Sequence, residues 1–272
     1  MQNANSFTRF LVVDRGYQPI TVQGYLGTAR RFTKVMGPYP SIDEAKVFME
    51  KLYTSDYSFS HKINTALGVE QYMSFIGKPV RFGRQKKPRH VIKEVLTEGE
   101  VTSMILVSNN LKQKAAISLL AYSGIRNKEF CGLRTKDIDY PTNRVKVIQG
   151  KGLKDRVVDI TPECTRVIMD YVNEYKKGPD EFLFKTYQGR QFSGQALRKL
   201  VHTLGKRAKI KKRVYPHIMR HSMSVNMLLR SADIETIRKQ LGHLWLETTC
   251  LYCSSIVLLD RNNYLKSAPS YL

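Results

Sequence analysis

The sequence predicts a mainly α protein with a small antiparallel β-sheet, an α+β fold in two domains spanning 1–88 and 89–272, and three observations carry that expectation. Apolar residues recur three and four apart in blocks through residues 4–77, the period of a helix with one buried face. The stretch KPVRFGRQKKPRH at 78–90 is rich in cations, holds two prolines and has little apolar content, so it reads as a linker. Beyond it the helical pattern resumes, interrupted by NRVKVIQGKGLKDRVVDI, which alternates in the manner of strands.

Taken in order, the first half reads as four helical blocks. SFTRFLVV and ITVQGYLGTARRFTKVM come first. The third opens at SIDE, where Ser41 and Glu44 have the spacing of a capping box. The fourth, SFSHKINTALGVEQYMSFIG, ends on a glycine suited to a helix C-cap. The second half opens with another capping box, Thr97 to Glu100, and runs through two helical segments to YSGIRNKEFCGL. The alternating stretch then predicts a hairpin with Lys151 at its tip between Gly150 and Gly152. Helical segments are expected from Pro162 to the C-terminus, one of them leading into the cationic run GKRAKIKKR.

Charge narrows the function. The 272 residues hold 45 Lys and Arg against 23 Asp and Glu, a net charge of +22. A small domain needs a magnitude of only roughly 2 to 8 for solubility, so the excess points to a polyanion, and nucleic acid is the first partner to consider. Both halves share it, with 14 cations against 6 anions up to residue 90 and 31 against 17 beyond. A basic tether between two basic domains suits a grip on a rod-like polyanion from two sides, and an ordinary solvated linker explains the same residues. The longest strongly apolar stretch, AAISLLAY at 115–122, is too short to span a bilayer and no apolar leader opens the chain, so a cytoplasmic protein without a membrane partner is expected. Cys131, Cys164, Cys250 and Cys253 form neither a disulfide framework nor a four-ligand zinc set, and no metal or cofactor is expected.

The residues that carry chemistry lie in YPHIMRH at 215–221 and GHLWLETTCLY at 242–252. His217 and Arg220, three apart on a helix, share a face on which an anion can sit. If that anion is a DNA phosphodiester, cleavage without a metal needs a nucleophile, charge neutralisation at the nonbridging oxygens and a proton for the leaving oxygen. The boxes YSGIRNKEFCGLRTKDID, GKGLKDR, PHIMRH, LGH and TTCLY, in this order and spacing across 97–255, resemble those of the tyrosine recombinase (lambda-integrase) family. The helical first half resembles that family's core-binding domain, and the compact two-domain length is most similar to Xer-type recombinases.

The resemblance implies a two-domain DNA clamp and a role for each matched residue. Tyr252 becomes the nucleophile of a 3′-phosphotyrosyl intermediate, Arg126 and Arg220 the phosphate clamp, and His217 the general base. His243 becomes a hydrogen-bond donor to the phosphate and Lys151 the acid that protonates the leaving 5′ oxygen. Each has a plainer reading: Arg126 as an ion-pair partner of Glu129, Lys151 as a solvated turn lysine, the histidines as surface or core residues, Tyr252 as one packed aromatic among 15 tyrosines. His221 is expected to pack, Trp245 and Leu246 to dock the tyrosine segment, and the cationic run to meet backbone phosphates. The resemblance further implies a site-specific recombinase acting as a homo-tetramer on two double-stranded DNA sites. Two rivals stay open: a type IB topoisomerase-like enzyme that relaxes DNA, and a non-catalytic basic DNA-binding protein.

Overall fold

A computed structural model describes residues 2–84, 94–148 and 155–242. The chain divides into two compact units, residues 1–89 and 90–272.

The regular structure of the first unit, among the described residues, is all helical. Helix α1 (Gln2–Arg9) passes into a π-helical turn (Phe10–Asp14), and α2 (Pro19–Met36) begins on a proline, whose missing N–H has no helical partner to lose there. Helix α3 (Ile42–Thr54) has the expected capping box: Glu44 N–H donates to Ser41 Oγ at 3.2 Å and Ser41 N–H to Glu44 Oε2 at 2.7 Å. In α4 (Phe59–Phe75) the cap is Ser58, whose Oγ accepts from His61 N–H. Phe7, Leu11, Phe32, Met49 and Met73 centre the core that these helices share.

The linker expected at 78–90 starts later than its composition suggests. Val80 and Phe82 pack against the first unit's core, and buried Glu70 of α4 holds the strand of chain that carries them. Its Oε1 accepts from Phe82 N–H and its Oε2 from Arg84 Nη2, both at 2.7 Å. A single buried carboxylate thus recruits a segment whose cations made it look solvated; residues 85–93 lie outside the described residues.

The second unit is built round α6 (Leu111–Ser123), which is apolar on nearly every side: Ala115, Ala116, Ile117, Leu119 and Leu120 are all buried. Against it pack α5 (Glu98–Leu106), α8 (Pro162–Glu174) and α10 (Pro216–Leu229). Three further α-helices complete that set among the described residues: α7 (Asn127–Gly132), α9 (Gly194–Arg207) and α11 (Ile234–Leu241). The sheet is antiparallel in the order β1 (Ile138–Asp139), β2 (Arg144–Val147), β3 (Arg156–Asp159), with Val145 opposite Val158 and Val147 opposite Arg156. Strands β2 and β3 are the expected hairpin pair. Strand β1 has two residues, too few to show an alternation in the sequence.

Two expectations change here. The helical pattern expected from Pro162 onwards breaks at 176–193, where the chain runs past Gly178 and Pro179 and pairs backbone to backbone. Thr135 N–H donates to Glu181 O at 2.9 Å and Leu183 N–H to Leu133 O at 2.8 Å, while Leu183 and Phe184 are buried in the core. In the cationic run, Lys212 Nζ donates to Val95 O at 2.8 Å and Glu100 Oε2 at 2.6 Å, so this lysine fastens α5 instead of facing a phosphate. Among the described residues, no helix is long and apolar enough to cross a membrane, and no group of three His, Cys, Asp or Glu stands ready to hold a metal ion. Burial pushes the thiols of Cys131 and Cys164 up to about 11 and about 12, which leaves both protonated and unreactive near neutral pH.

Candidate active site

Two helix ends and one strand bring the arginines together. Helix α6 ends on Gly124 and α11 on Gly242, both in the left-handed conformation at φ 60° and 63°. Such a cap leaves the last carbonyls of a helix turned outward without intrahelical donors, and they carry the negative end of its dipole. Arg220, inside α10, donates through Nη1 to Gly124 O and through Nη2 to Leu241 O at 2.7 Å. It is 2% exposed, the bulkiest fully buried side chain in the described structure, and here backbone carbonyls offset the cost of burying its charge.

Arg126 reaches the same place from the other side. It lies two residues beyond Gly124, in extended conformation as the residue before α7, and its Nη2 donates to Gly242 O at 3.3 Å. Arg126 and Arg220 therefore meet on consecutive carbonyls of α11, Leu241 and Gly242. His217 sits in the first turn of α10, one turn before Arg220, with its side chain exposed. His221 is 4% exposed and packs, as expected.

Glu129 anchors the arginine side of the site, and all of its acceptor positions are used. Arg126 donates to it from the backbone N–H (2.7 Å to Oε2) and from Nη1 (2.8 Å to Oε1). Arg156 donates from Nη1 (2.8 Å to Oε1) and Nη2 (2.9 Å to Oε2), a bidentate pair. Burial works to raise this carboxyl, but hydrogen bonds from Arg156 and then Arg126 outweigh it and hold the carboxyl at about 2. Glu129 is thus ionised near neutral pH. Strand β3, which carries Arg156, is clipped to α11 by Gln240: its Nε2 donates to Asp159 O at 2.7 Å, and its Oε1 accepts from Asp159 N–H at 3.1 Å.

Of the residues singled out in the sequence, Arg126 and Arg220 are brought together and His217 stands one helical turn away. Lys151, His243 and Tyr252 lie outside the described residues, as do Trp245, Leu246, Cys250 and Cys253. Lys151 belongs to the connection between β2 and β3, and His243 directly follows Gly242 in the chain. Sequence reasoning missed Arg156, though it ends the box GKGLKDR. An arginine four residues past a Gly–Lys–Gly turn and a glutamate three residues after another arginine are the signals that mark such a pair.

Comparison with known proteins adds the family. Residues 94–256 match the phage integrase family. A tyrosine recombinase of Thermosipho africanus is 30% identical over 264 residues, covering 90% of this chain and 92% of the relative. The crystal structure of a XerA recombinase superposes with a TM-score of 0.60 at 25% identity, covering 99% of each chain. A XerH site-specific recombinase bound to a palindromic difH substrate shares the fold at a TM-score of 0.70 and 18% identity, over 93% of this chain and 80% of that one. With its arginines gathered on Leu241 and Gly242 of the LGH box, and with relatives matched along nearly their whole length, the chain belongs to the phage integrase family as a tyrosine recombinase of the Xer type.

Proposed function

We propose that this chain is a site-specific recombinase that breaks and rejoins DNA strands with Tyr252 as nucleophile and a 3′-phosphotyrosyl intermediate. The observation that carries the reading is the convergence of Arg126 and Arg220 on the last turn of α11, one residue before His243. A guanidinium offers planar, paired donors that suit the oxygens of a phosphodiester. Arg220 is buried and already aimed by two helix ends, so it meets a developing oxyanion with little reorganisation and little screening by water. In this scheme Arg126 and Arg220 neutralise the nonbridging oxygens and His243 donates a hydrogen bond to them. His217 takes the proton of the tyrosine, and Lys151 protonates the 5′ oxygen as it leaves.

The phosphotyrosyl bond keeps the energy of the broken phosphodiester, so a 5′ hydroxyl from a second duplex can attack it and reseal. Exchange at both strands of two sites calls for four protomers, and a homo-tetramer on double-stranded DNA is the assembly this reading implies. Residues 1–88 then serve as the core-binding half of a DNA clamp and 89–272 as the catalytic half, in a cytoplasmic protein.

The test is covalent trapping. Tyr252→Phe keeps DNA binding and loses the denaturant-resistant protein–DNA adduct, because the ring remains and the nucleophilic oxygen is gone. Tyr264→Phe keeps the adduct. The opposite pattern would move the nucleophile to Tyr264, and sequencing the DNA trapped on the wild type identifies the target site.

A further inference from the structure

The hydrogen bonds around Glu129 raise a question of charge. One carboxylate lies between two guanidinium groups, and its two oxygens, with about four lone-pair positions, accept four hydrogen bonds. Its side chain is 4% exposed, against 14% for Arg156 and 27% for Arg126. Were Glu129 paired with Arg126 alone, the two charges would cancel, and Arg126 would bring little net field to an approaching phosphate. Shared between two arginines, the carboxylate leaves the trio with a net charge of +1, and Arg126 is its most exposed member.

We propose that Arg156 is a positioning residue for strand cleavage: it holds the Glu129 carboxylate by two bonds, and so both aims Arg126 and preserves Arg126's positive charge for the scissile phosphate. Three features of its placement fit this role. Arg156 opens β3, so the base of the hairpin connection that contains Lys151 is fixed to the same carboxylate that orients Arg126. A side chain on Gly242 would collide with it, at 2.5 Å from its Cδ and 2.7 Å from its Nε, so Arg156 lies directly against the turn that receives Arg126. Gln240 ties the far end of β3 to that helix. The carboxylate, the hairpin base and the α11 turn are therefore fastened to one another through Arg156.

The proposal rests on reading Arg126 as part of the phosphate clamp, and the experiment separates the two. Full-length wild type, Arg126→Ala, Arg156→Met, Arg156→Lys and Arg156→Met/Glu129→Gln are compared on a nicked suicide duplex built from the trapped target sequence. Adduct formation is followed in single turnover at saturating protein, with DNA affinity measured in parallel. Arg156→Met is expected to bind DNA within about twofold of wild type, since many phosphate contacts share the binding. Its cleavage should slow by about 10- to 100-fold, the scale on which outer partners of metal ligands act. Arg156→Lys, which keeps the charge with a single donor group, is expected to lie between.

The decisive arm is the double variant. Removing the carboxylate that Arg156→Met leaves unbalanced should restore part of the rate, whereas a scaffold role predicts a double variant no faster than the single one. A double variant no faster than Arg156→Met overturns the proposal, as does wild-type cleavage by Arg156→Met. So does a loss of affinity that accounts for the whole rate defect. Undiminished cleavage by Arg126→Ala would instead overturn the clamp on which the proposal stands.

Discussion

Replacing Gly242 with alanine should damage stability and cleavage together, by an amount the structure allows one to estimate. Gly242 has φ 63° and ψ 49°, a conformation that costs an L-residue roughly 1–2 kcal/mol. The new Cβ would also lie 2.5 Å from Cδ and 3.2 Å from Cζ of Arg156, whose far end is held on Glu129 by two hydrogen bonds and cannot simply swing aside. Overpacking of that kind adds about 1–3 kcal/mol, for a total of roughly 2–5 kcal/mol. Gly189 is the internal control: it too has a positive φ, 72°, but open space where a Cβ would go, so Gly189→Ala should cost only the conformational part, roughly 1–2 kcal/mol. Both losses are read from urea titrations of the full-length protein. Equal losses for Gly242→Ala and Gly189→Ala would refute the contact between Gly242 and Arg156, and with it the account of how this turn and the carboxylate are joined.

Two further outcomes follow from the site. Glu129 is held at about 2 when folded against an ordinary 4.5, so its stabilisation is complete above pH 4.5 and is lost as pH falls from there towards 2. Glu129→Gln should therefore be less stable than wild type by up to about 3 kcal/mol at pH 6, with the gap narrowing steeply by about pH 3; a gap that does not change over this range would show that the carboxylate's charge contributes nothing. Lys151→Ala should cleave normal DNA slowly and recover on a substrate whose leaving 5′ oxygen is replaced by sulfur, because the thiolate leaves without a proton. Arg126→Ala should not recover, since sulfur at the leaving position does nothing for the nonbridging oxygens, and an equally deep Lys151→Ala defect on both substrates would make that lysine a phosphate binder.

Those elements whose signals are local were readable in the sequence. The capping boxes at Ser41 and Thr97 start helices at the residues their spacing names, because the interaction is complete within four residues. The β2–β3 pair is visible because its two strands are neighbours in the chain and alternate. By contrast β1, the backbone pairing at 181–183 and the docking of 80–84 all depend on partners ten or more residues away or on strands too short to show a period. The two misread cationic segments share a further cause. A lysine or arginine looks solvated in a sequence, yet Arg84 is drawn in by Glu70 and Lys212 by Glu100.

The site shows the same limit more sharply. Its arginines were recognisable as family positions, but what aims them is backbone, and a carbonyl has no letter of its own. Gly124 and Gly242 are the nearest written trace. Each follows the last turn of an apolar-patterned helix and adopts the left-handed conformation that ends it. The reversal at Gly124 lets the chain place Arg126 only two residues on, in extended conformation facing the end of α11. The reversal at Gly242 turns out the carbonyls of Leu241 and Gly242, one for each arginine, and hands the chain on to His243. Gly–Ile–Arg and Gly–His, read as helix ends and not merely as fragments of boxes, thus predict a meeting of two helix C-termini, and cations are the side chains such a meeting attracts.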